Sequence, residues 1–201
     1  MLFRSERDAL RALGLSVLIP YPTLPTIRNS VVLHTFSLIE KEYLILHFFA
    51  GNKGRSISPE HAHALVAKLR AQLPNLTFLI SGALADKDAA HVIAHDLVNT
   101  RVIAGDATLQ EMMALIAMSR GVVSVDTGIA HITAHLRKPL IVLRTCLWPN
   151  WWFPTAYGKD IPNFQFSFTG SCDPHQAQNY PDCLNKIDLE EVTGAAIPLF
   201  T

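Results

Sequence analysis

The sequence predicts an α/β domain, a Rossmann-like parallel sheet with helices on both faces. Short, continuously apolar segments alternate with longer segments that have the apolar spacing of helices along most of the chain. Each helical segment is long enough to form the right-handed crossover between two parallel strands. The length of 201 residues and the hydrophobic content of 49% suit one main core. Ligands bind at the carboxyl ends of the strands in such sheets, so function is expected in the loops that follow them.

The first part of the chain is expected to lead into this domain. Residues 1–42 are interpreted as a linker and the first layer, and residues 43–201 as the Rossmann-like domain with an irregular C-terminal cover. A short helix is predicted over residues 6–15, before a cluster of prolines. Residues 31–38 are apolar and remain ambiguous between strand and helix.

Two strand–helix units follow. Residues 43–49 (YLILHFF) form a continuous apolar run typical of a strand buried on both faces. Ser58 and Pro59 provide an N-cap and a first helical residue for a helix that continues to about residue 73. A second strand is predicted over residues 76–80 and a second helix over residues 86–97. The inner side of that helix is expected to carry Ala89, Val92, Ile93 and Leu97.

The same alternation continues to the end of the chain. Further strands are predicted at residues 101–104, 122–126 and 139–143. Thr108 is expected to cap a helix that stops at Gly121, and another helix is predicted over residues 129–136. The first of these helices carries the apolar residues Leu109, Met112, Met113, Ile116 and Ala117. The irregular cover after residue 144 is predicted to end in a helix that starts near Asp188.

Composition narrows the class of ligand. The 17 Lys and Arg residues balance the 17 Asp and Glu residues without any run of like charge, which disfavours a nucleic-acid partner and favours a small molecule. No apolar run is long enough for a signal-peptide core or a transmembrane segment. The odd number of cysteines favours free thiols in a reducing cytoplasm, with a disulfide between Cys172 and Cys183 as the alternative.

The most informative stretch is residues 122–143, VVSVDTGIAHITAHLRKPLIVL. Gly128 allows a ligand to approach the backbone, Thr127 offers a hydroxyl, and the free N–H groups at the start of the next helix favour a phosphate. Asp126 and His131 flank this loop. The alternative is that Asp126 only caps the helix and that His131 is a half-buried histidine with satisfied hydrogen bonds.

This stretch resembles the nucleotide-sugar signature of glycosyltransferase family 9, the heptosyltransferases. That signature has a strand ending in Asp-Thr/Ser-Gly, then a histidine, a helix of small residues and a strand that begins with Lys/Arg-Pro. The matching residues here are Asp126, Thr127, Gly128, His131, Ala134, Lys138 and Pro139. The order of elements in most of the chain follows the family's C-terminal domain, so the resemblance implies the C-terminal half of a GT-B fold.

The resemblance also implies where the diphosphate of a sugar donor would bind. Thr127, Gly128 and His131 correspond to phosphate contacts, and Asp126 to a contact with the sugar or a positioning residue. The family's loop after the first strand supplies a basic residue to the phosphates, which here is Lys53 or Arg55, with Lys53 slightly preferred.

The nucleoside side follows from the same resemblance. Asp86 occupies the place of an acidic residue near the ribose, although a helix N-cap explains it equally well. The loop GDATLQ resembles the family's adenine-side loop, which makes Ala107, Thr108 and Leu109 candidate base contacts. A plain helix cap also explains Thr108.

Arg144 departs from the family pattern. The family usually ends this strand with glycine, before a loop at the donor, whereas this sequence has a bulky cation. The arginine is expected either to contact the phosphates or to block them.

The resemblance implies transfer of a sugar from a nucleotide-diphosphate donor, of the ADP-heptose type, to lipopolysaccharide or another cell-envelope glycan or glycolipid. It implies a cytoplasmic protein that can associate peripherally with the inner membrane face. No cofactor is required, because basic residues and helix N–H groups would stabilise the leaving diphosphate. The family's N-terminal domain supplies the acceptor site and general base, so a separate acceptor domain is an expected partner and no catalytic residue is assigned. The alternative is a non-catalytic nucleotide-binding or interaction domain.

No metal site is predicted. The pairs His91 with His95 and His131 with His135 are each four residues apart, a spacing that places two ligands on one helical face. The HITAH segment lacks the glutamate that a zinc-protease helix needs as its base, and no third ligand is evident. Solvated histidines are the preferred interpretation.

Overall fold

The computed structural model describes residues 29–145, 164–167 and 183–201, and for residues 164–167 the backbone only. Its strands are β1 (Tyr43–His47), β2 (Thr77–Ser81), β3 (Thr100–Val102), β4 (Gly121–Val125), β5 (Leu140–Leu143) and β6 (Phe164–Ser167). They form one six-stranded sheet in the order β3-β2-β1-β4-β5-β6. Every neighbouring pair is parallel, which confirms the predicted parallel α/β fold.

Helices cover both faces of this sheet. They are α1 (Ser30–Thr35), α2 (Pro59–Gln72), α3 (Lys87–Ala94), α4 (Leu109–Met118), α5 (Gly128–His135) and α6 (Leu189–Phe200). Short 3-10 turns occur at Lys53–Arg55, Leu84–Asp86 and Leu184–Lys186. Because successive side chains of a strand point to opposite faces, β1 contributes to two cores. Leu44 and Leu46 pack with α2, α3 and α6, whereas Tyr43 and Ile45 pack with α1, α4 and α5.

Three predicted helix starts are confirmed by their caps. The Ser58 hydroxyl accepts a hydrogen bond from the His61 amide at 3.2 Å. Thr108 forms a capping box with Glu111, whose carboxylate accepts from the Thr108 amide at 2.8 Å. The Asp188 carboxylate accepts from the Glu190 amide at 2.8 Å. These caps satisfy N–H groups that have no partner inside the helix.

The ambiguous segment 31–38 begins as helix α1, and Asn29 caps it through the Val31 amide at 3.1 Å. Val32 is buried in the core on that face of the sheet. The predicted helix over residues 6–15 lies outside the described residues, as does most of the C-terminal cover, including Cys172. Cys183, its alternative disulfide partner, is buried.

The second predicted helix was wrong in its end and in part of its inner face. α3 ends at Ala94, three residues early, because His95 leaves the helical conformation with ψ 129° and Asp96 follows with a left-handed φ of 58°. Val92 is 53% exposed, while Ala90 and Ile93 are buried. The apolar spacing alone did not show that the small Ala90 faces the sheet.

Two further expectations were wrong. Gly121 does not stop α4, which ends at Met118, and is instead the first residue of β4. β6 lies in the segment that was predicted to be irregular, and its four residues pair with β5 from Leu140↔Phe164 onward. A strand this short is defined by its partner and carries too little periodicity to be read from sequence.

Gly121 is required by packing. A Cβ atom at this position would lie 2.8 Å from Phe200 Cδ1 and 2.8 Å from the Pro139 carbonyl oxygen. Real Cβ atoms are essentially never so close, and Phe200 is buried. The absence of a side chain at Gly121 therefore lets the end of α6 close over the start of β4.

Gly121→Ala is expected to lower the free energy of unfolding by about 1–3 kcal/mol, because the added methyl group overpacks the core. Gly194→Ala is the matched control, since Gly194 is an exposed interior residue of α6 with nothing described within 4 Å of its Cβ position. That change should raise stability by about 0.5–1 kcal/mol through helix propensity. Urea denaturation measures both, and equal stability of Gly121→Ala and the parent would contradict the packing argument.

Candidate functional site

The centre of the sheet is the point where the strand order reverses. From β1 the chain moves outward through β2 and β3, and it then returns to place β4 on the other side of β1. The loops after β1 and β4 consequently leave the sheet in opposite directions and open a crevice at their carboxyl ends. In register, His47 of β1 lies opposite Ser124 of β4, two residues before Asp126.

Asp126 is the central charged group of this crevice. It follows β4 directly and is only 4% exposed. Arg55 Nη1 lies 3.8 Å from its Oδ2 atom, and His131 Nε2 lies 3.8 Å from its Oδ1 atom. Among the residues that the structure describes, none donates a hydrogen bond to Oδ2. The turn after β1 and helix α5 therefore meet on one buried carboxylate.

Burial is the largest influence on the pKa values of Asp126 and His131. Desolvation raises the pKa of Asp126, and the charges of His131 and Arg55 offset part of that rise. Desolvation lowers the pKa of His131, Asp126 acts in the opposite direction, and His135 lowers the pKa further. The carboxyl group of Asp126 is therefore buried despite the free-energy cost of removing its charged form from water. Such perturbed groups are frequent at functional sites.

The loop after Asp126 starts helix α5 without a side-chain cap. The N-cap is Thr127, not Asp126, and its hydroxyl makes no capping hydrogen bond. That hydroxyl lies 3.4 Å from the Ser124 hydroxyl and 3.4 Å from the Val125 carbonyl. No described atom lies within 4 Å of a Cβ position at Gly128, the first residue of α5. The helix start is open to an anion on its outer side.

The structure separates the two basic residues of the loop after β1. They begin and end one 3-10 turn, in which the Asn52 side chain accepts from the Gly54 amide at 3.0 Å. Arg55 is half-buried and reaches Asp126, whereas Lys53 is exposed and forms no ion pair among the described residues. The sequence left the choice open with a slight preference for Lys53, but the turn directs Arg55 toward the crevice.

Asp86 lies on the other side of the crevice, in the turn after β2. Its Oδ2 atom accepts from the Ala83 amide at 2.9 Å, so the carboxylate caps this turn. It makes no side-chain capping bond to α3. A Cβ atom at Gly82 would lie 2.8 Å from Phe49 Cδ2 and 3.1 Å from Asp86 Oδ2, so the turn is tightly packed.

The candidate base-binding loop lies beside this turn. The Thr108 hydroxyl donates to Glu111 Oε2 at 2.7 Å, so its capping role is realised. Backbone and side-chain hydrogen bonds from Thr108 lower the pKa of Glu111. Ala107 is half-buried, and Leu109 presents most of its side chain to solvent. Ala107 and Leu109 therefore offer an apolar surface to a ligand, while the Thr108 hydroxyl is already bonded to Glu111.

Two further polar residues lie at this edge, His47, which sequence reasoning missed, and Arg144, which it singled out. His47 ends β1 and places Nδ1 3.0 Å from the Ser81 hydroxyl. Burial lowers its pKa to about 4. The available signal was a histidine within an otherwise apolar strand. Arg144 follows β5 and is 8% exposed, and desolvation lowers the pKa of its guanidinium, so the cation lies inside the protein and not on an open surface.

The histidine pairs do not form clusters in this part of the chain. α3 ends before His95, and His135 Nδ1 lies 2.8 Å from the His131 carbonyl oxygen. In residues 29–145 and 183–201, no three His, Cys, Asp or Glu side chains gather as metal ligands would. Within the described residues, no helix has the length and apolar character to cross a membrane.

Comparison with solved structures gives a consistent set of similar folds. The Escherichia coli ADP-heptose lipopolysaccharide heptosyltransferase II is 21% identical with a TM-score of 0.76, over 94% of this chain and 56% of that one. A family 9 glycosyltransferase from Veillonella parvula is 13% identical with a TM-score of 0.76, over 96% and 58%. The E. coli heptosyltransferase WaaC, solved with ADP-2-deoxy-2-fluoro heptose, is 20% identical with a TM-score of 0.61, over 94% and 52%.

This chain therefore spans little more than half the length of the solved structures that it matches. No curated protein sequence matches it. The family model of glycosyltransferase family 9 (heptosyltransferase) matches residues 36–158, which is more than half of the chain. That region contains the crevice, the Asp126 loop and the basic turn after β1. The chain belongs to glycosyltransferase family 9.

Proposed function

We propose that this chain is the nucleotide-sugar-binding half of a glycosyltransferase that transfers a sugar from an ADP-heptose-type donor to lipopolysaccharide or another cell-envelope glycan. The observation that carries the proposal is the buried Asp126 between Arg55 and His131, beside the open start of α5. Two proteins of similar fold were solved with ADP-2-deoxy-2-fluoro heptose and with ADP-D-β-D-heptose, which supports an ADP-sugar as the ligand.

The donor's diphosphate is proposed to bind at the start of α5. Gly128 permits close approach, and the helix N–H groups supply hydrogen bonds and a favourable dipole. Arg55 supplies positive charge, and Thr127 supplies a hydroxyl. Asp126 would repel phosphate, so its proposed role is to position Arg55 and His131 beside the anion.

This arrangement also suits departure of the diphosphate during transfer. Negative charge develops on the leaving phosphate, and groups already oriented toward it stabilise the transition state without reorganisation. Arg55 is proposed as the main cation in preference to Lys53, because only Arg55 reaches the buried carboxylate. Charge on Arg55 and the N–H donors at α5 are proposed to supply this stabilisation.

The nucleoside is proposed to lie across the turn after β2. Asp86 would face the ribose, and the exposed side chain of Leu109 with the adjoining Ala107 would contact the base. The Thr108 hydroxyl is bonded to Glu111, so Thr108 would contribute through its backbone.

The acceptor site is proposed to belong to a separate N-terminal domain. The chain covers only 52–58% of the similar glycosyltransferase structures, which is consistent with a donor-binding half. Residues 43–201 are proposed as the donor domain and residues 1–42 as its linker and first layer. The burial of Val32 in the core supports that division, and a cytoplasmic location at the inner membrane face suits the proposed acceptor.

Arg55→Gln is expected to weaken ADP binding by roughly 10- to 100-fold, because a charge-assisted hydrogen bond is worth about 1.5–3 kcal/mol. Lys53→Gln, in the same turn, is the matched control and should change the affinity by less than about 3-fold, as expected of a solvent-exposed charge. Isothermal titration calorimetry measures both. Adenosine should bind the parent and Arg55→Gln equally, since it has no phosphate. A larger loss for Lys53→Gln than for Arg55→Gln would refute this assignment.

Asp126→Asn is expected to raise Tm at pH 7 while weakening ADP binding. The folded protein has a raised pKa at Asp126, so folding favours the protonated carboxyl and the charged form costs stability above that pKa. Asparagine carries no charge at any pH. The gain in Tm should therefore shrink as the pH falls and the parent's Asp126 takes up its proton.

Thermal denaturation between pH 3 and pH 8 measures this effect. Asp96→Asn is the control, because Asp96 is exposed and asparagine tolerates its left-handed backbone. A lower Tm of Asp126→Asn at pH 7 would mean that the ion pairs outweigh the desolvation of the carboxylate.

A further inference from the structure

His47 lies at the end of the central strand, between the two halves of the proposed donor site. Its neighbours in register are Ser81 of β2 and Ser124 of β4. The side chain turns toward β2, where Nδ1 meets the Ser81 hydroxyl at 3.0 Å. The Asp86 carboxylate is close enough to favour the charged form of the imidazole. Neither the proposed phosphate contacts nor the base contacts use this residue.

The hydrogen-bond network assigns the proton of His47. The Leu46 carbonyl oxygen lies 3.3 Å from the Ser81 hydroxyl and can only accept, so we assign the hydroxyl proton to it and the proton between Ser81 and His47 to Nδ1 of the ring. Burial lowers the pKa of His47 to about 4, so the ring is neutral near pH 7. A neutral ring with its proton on Nδ1 has a lone pair on Nε2. Among the described residues, no donor forms a hydrogen bond to Nε2. This atom is also not fully buried, so a ligand can reach it.

We propose that Nε2 of His47 accepts a hydrogen bond from a ribose hydroxyl of the bound nucleotide. This inference rests on the proposed function, because it needs a nucleotide in the crevice. A lone pair repels phosphate oxygens and attracts a hydroxyl proton, so His47 selects for the ribose over the diphosphate.

The ribose is favoured over other hydroxyl-bearing groups by the position of Asp86. One of its carboxylate oxygens is occupied by the Ala83 amide, and the other makes no hydrogen bond to the described residues. Asp86 packs against Gly82, the residue after Ser81, so Asp86 and His47 present two acceptors on the β2 side of the crevice. The 2′- and 3′-hydroxyls of ribose form a vicinal diol with two donors to match such a pair, and loss of either hydroxyl leaves one donor. His47 is therefore a specificity-determining residue for the ribose diol.

The test compares ADP with 2′-deoxy-ADP and 3′-deoxy-ADP by isothermal titration calorimetry. The parent is expected to bind ADP roughly 3- to 10-fold more tightly than one of the two deoxy analogues, the effect of one hydrogen bond. His47→Asn can still donate to Ser81 but lacks the outer lone pair. This variant is expected to bind ADP more weakly by the same factor and to lose the preference for ADP over that analogue.

His95→Asn is the matched control, since His95 is exposed at the C-terminal end of α3, toward the opposite edge of the sheet. It should retain both the affinity and the preference of the parent. Equal binding of all three nucleotides by the parent would overturn the inference. An unchanged preference for ADP in His47→Asn would overturn it as well. If the parent binds no ADP at all, the proposed function fails as well, and the two failures are thereby distinguished.

Discussion

The site depends on one buried charge, the carboxylate of Asp126. Burial penalises it, as the raised pKa shows, and only Arg55 and His131 offset that penalty among the described residues. A carboxylate in this position brings together a turn after β1 and a helix after β4, which lie far apart in sequence. A hydrophobic residue of similar size would pack at a lower cost in solvation but would not hold two basic side chains at the crevice.

The position of that charge follows from the topology of the sheet. β1 and β4 are neighbours because the chain returns to the centre of the sheet after forming one edge, so the loops that follow these two strands separate at this point. Packing on both faces keeps the strand ends in place, and it leaves no room for side chains at Gly82 and Gly121. The order of the strands and the packing of the core therefore determine where the crevice lies. A few residues in the loops determine which groups face a ligand there.

Much of the fold follows from the sequence because periodicity and caps are local. The strand around Ile45 and the helices capped by Ser58 and Thr108 were predicted from patterns within a few residues of each. β6 was missed because its pairing with β5 is not local. The choice between Lys53 and Arg55 was likewise beyond sequence spacing, since one 3-10 turn decides which side chain faces Asp126. His47 was overlooked because a strand pattern does not show that its last side chain meets Ser81 across the sheet.

The central claim is that a nucleotide diphosphate binds where the loops after β1 and β4 meet. A crystal structure of this chain with ADP tests it most directly. The account predicts phosphate oxygens within hydrogen-bond distance, about 2.7–3.2 Å, of the Gly128 amide and the Arg55 guanidinium. It would be contradicted by ADP bound at another edge of the sheet, or by phosphates directed away from the start of α5 while Arg55 remains in contact with Asp126 alone.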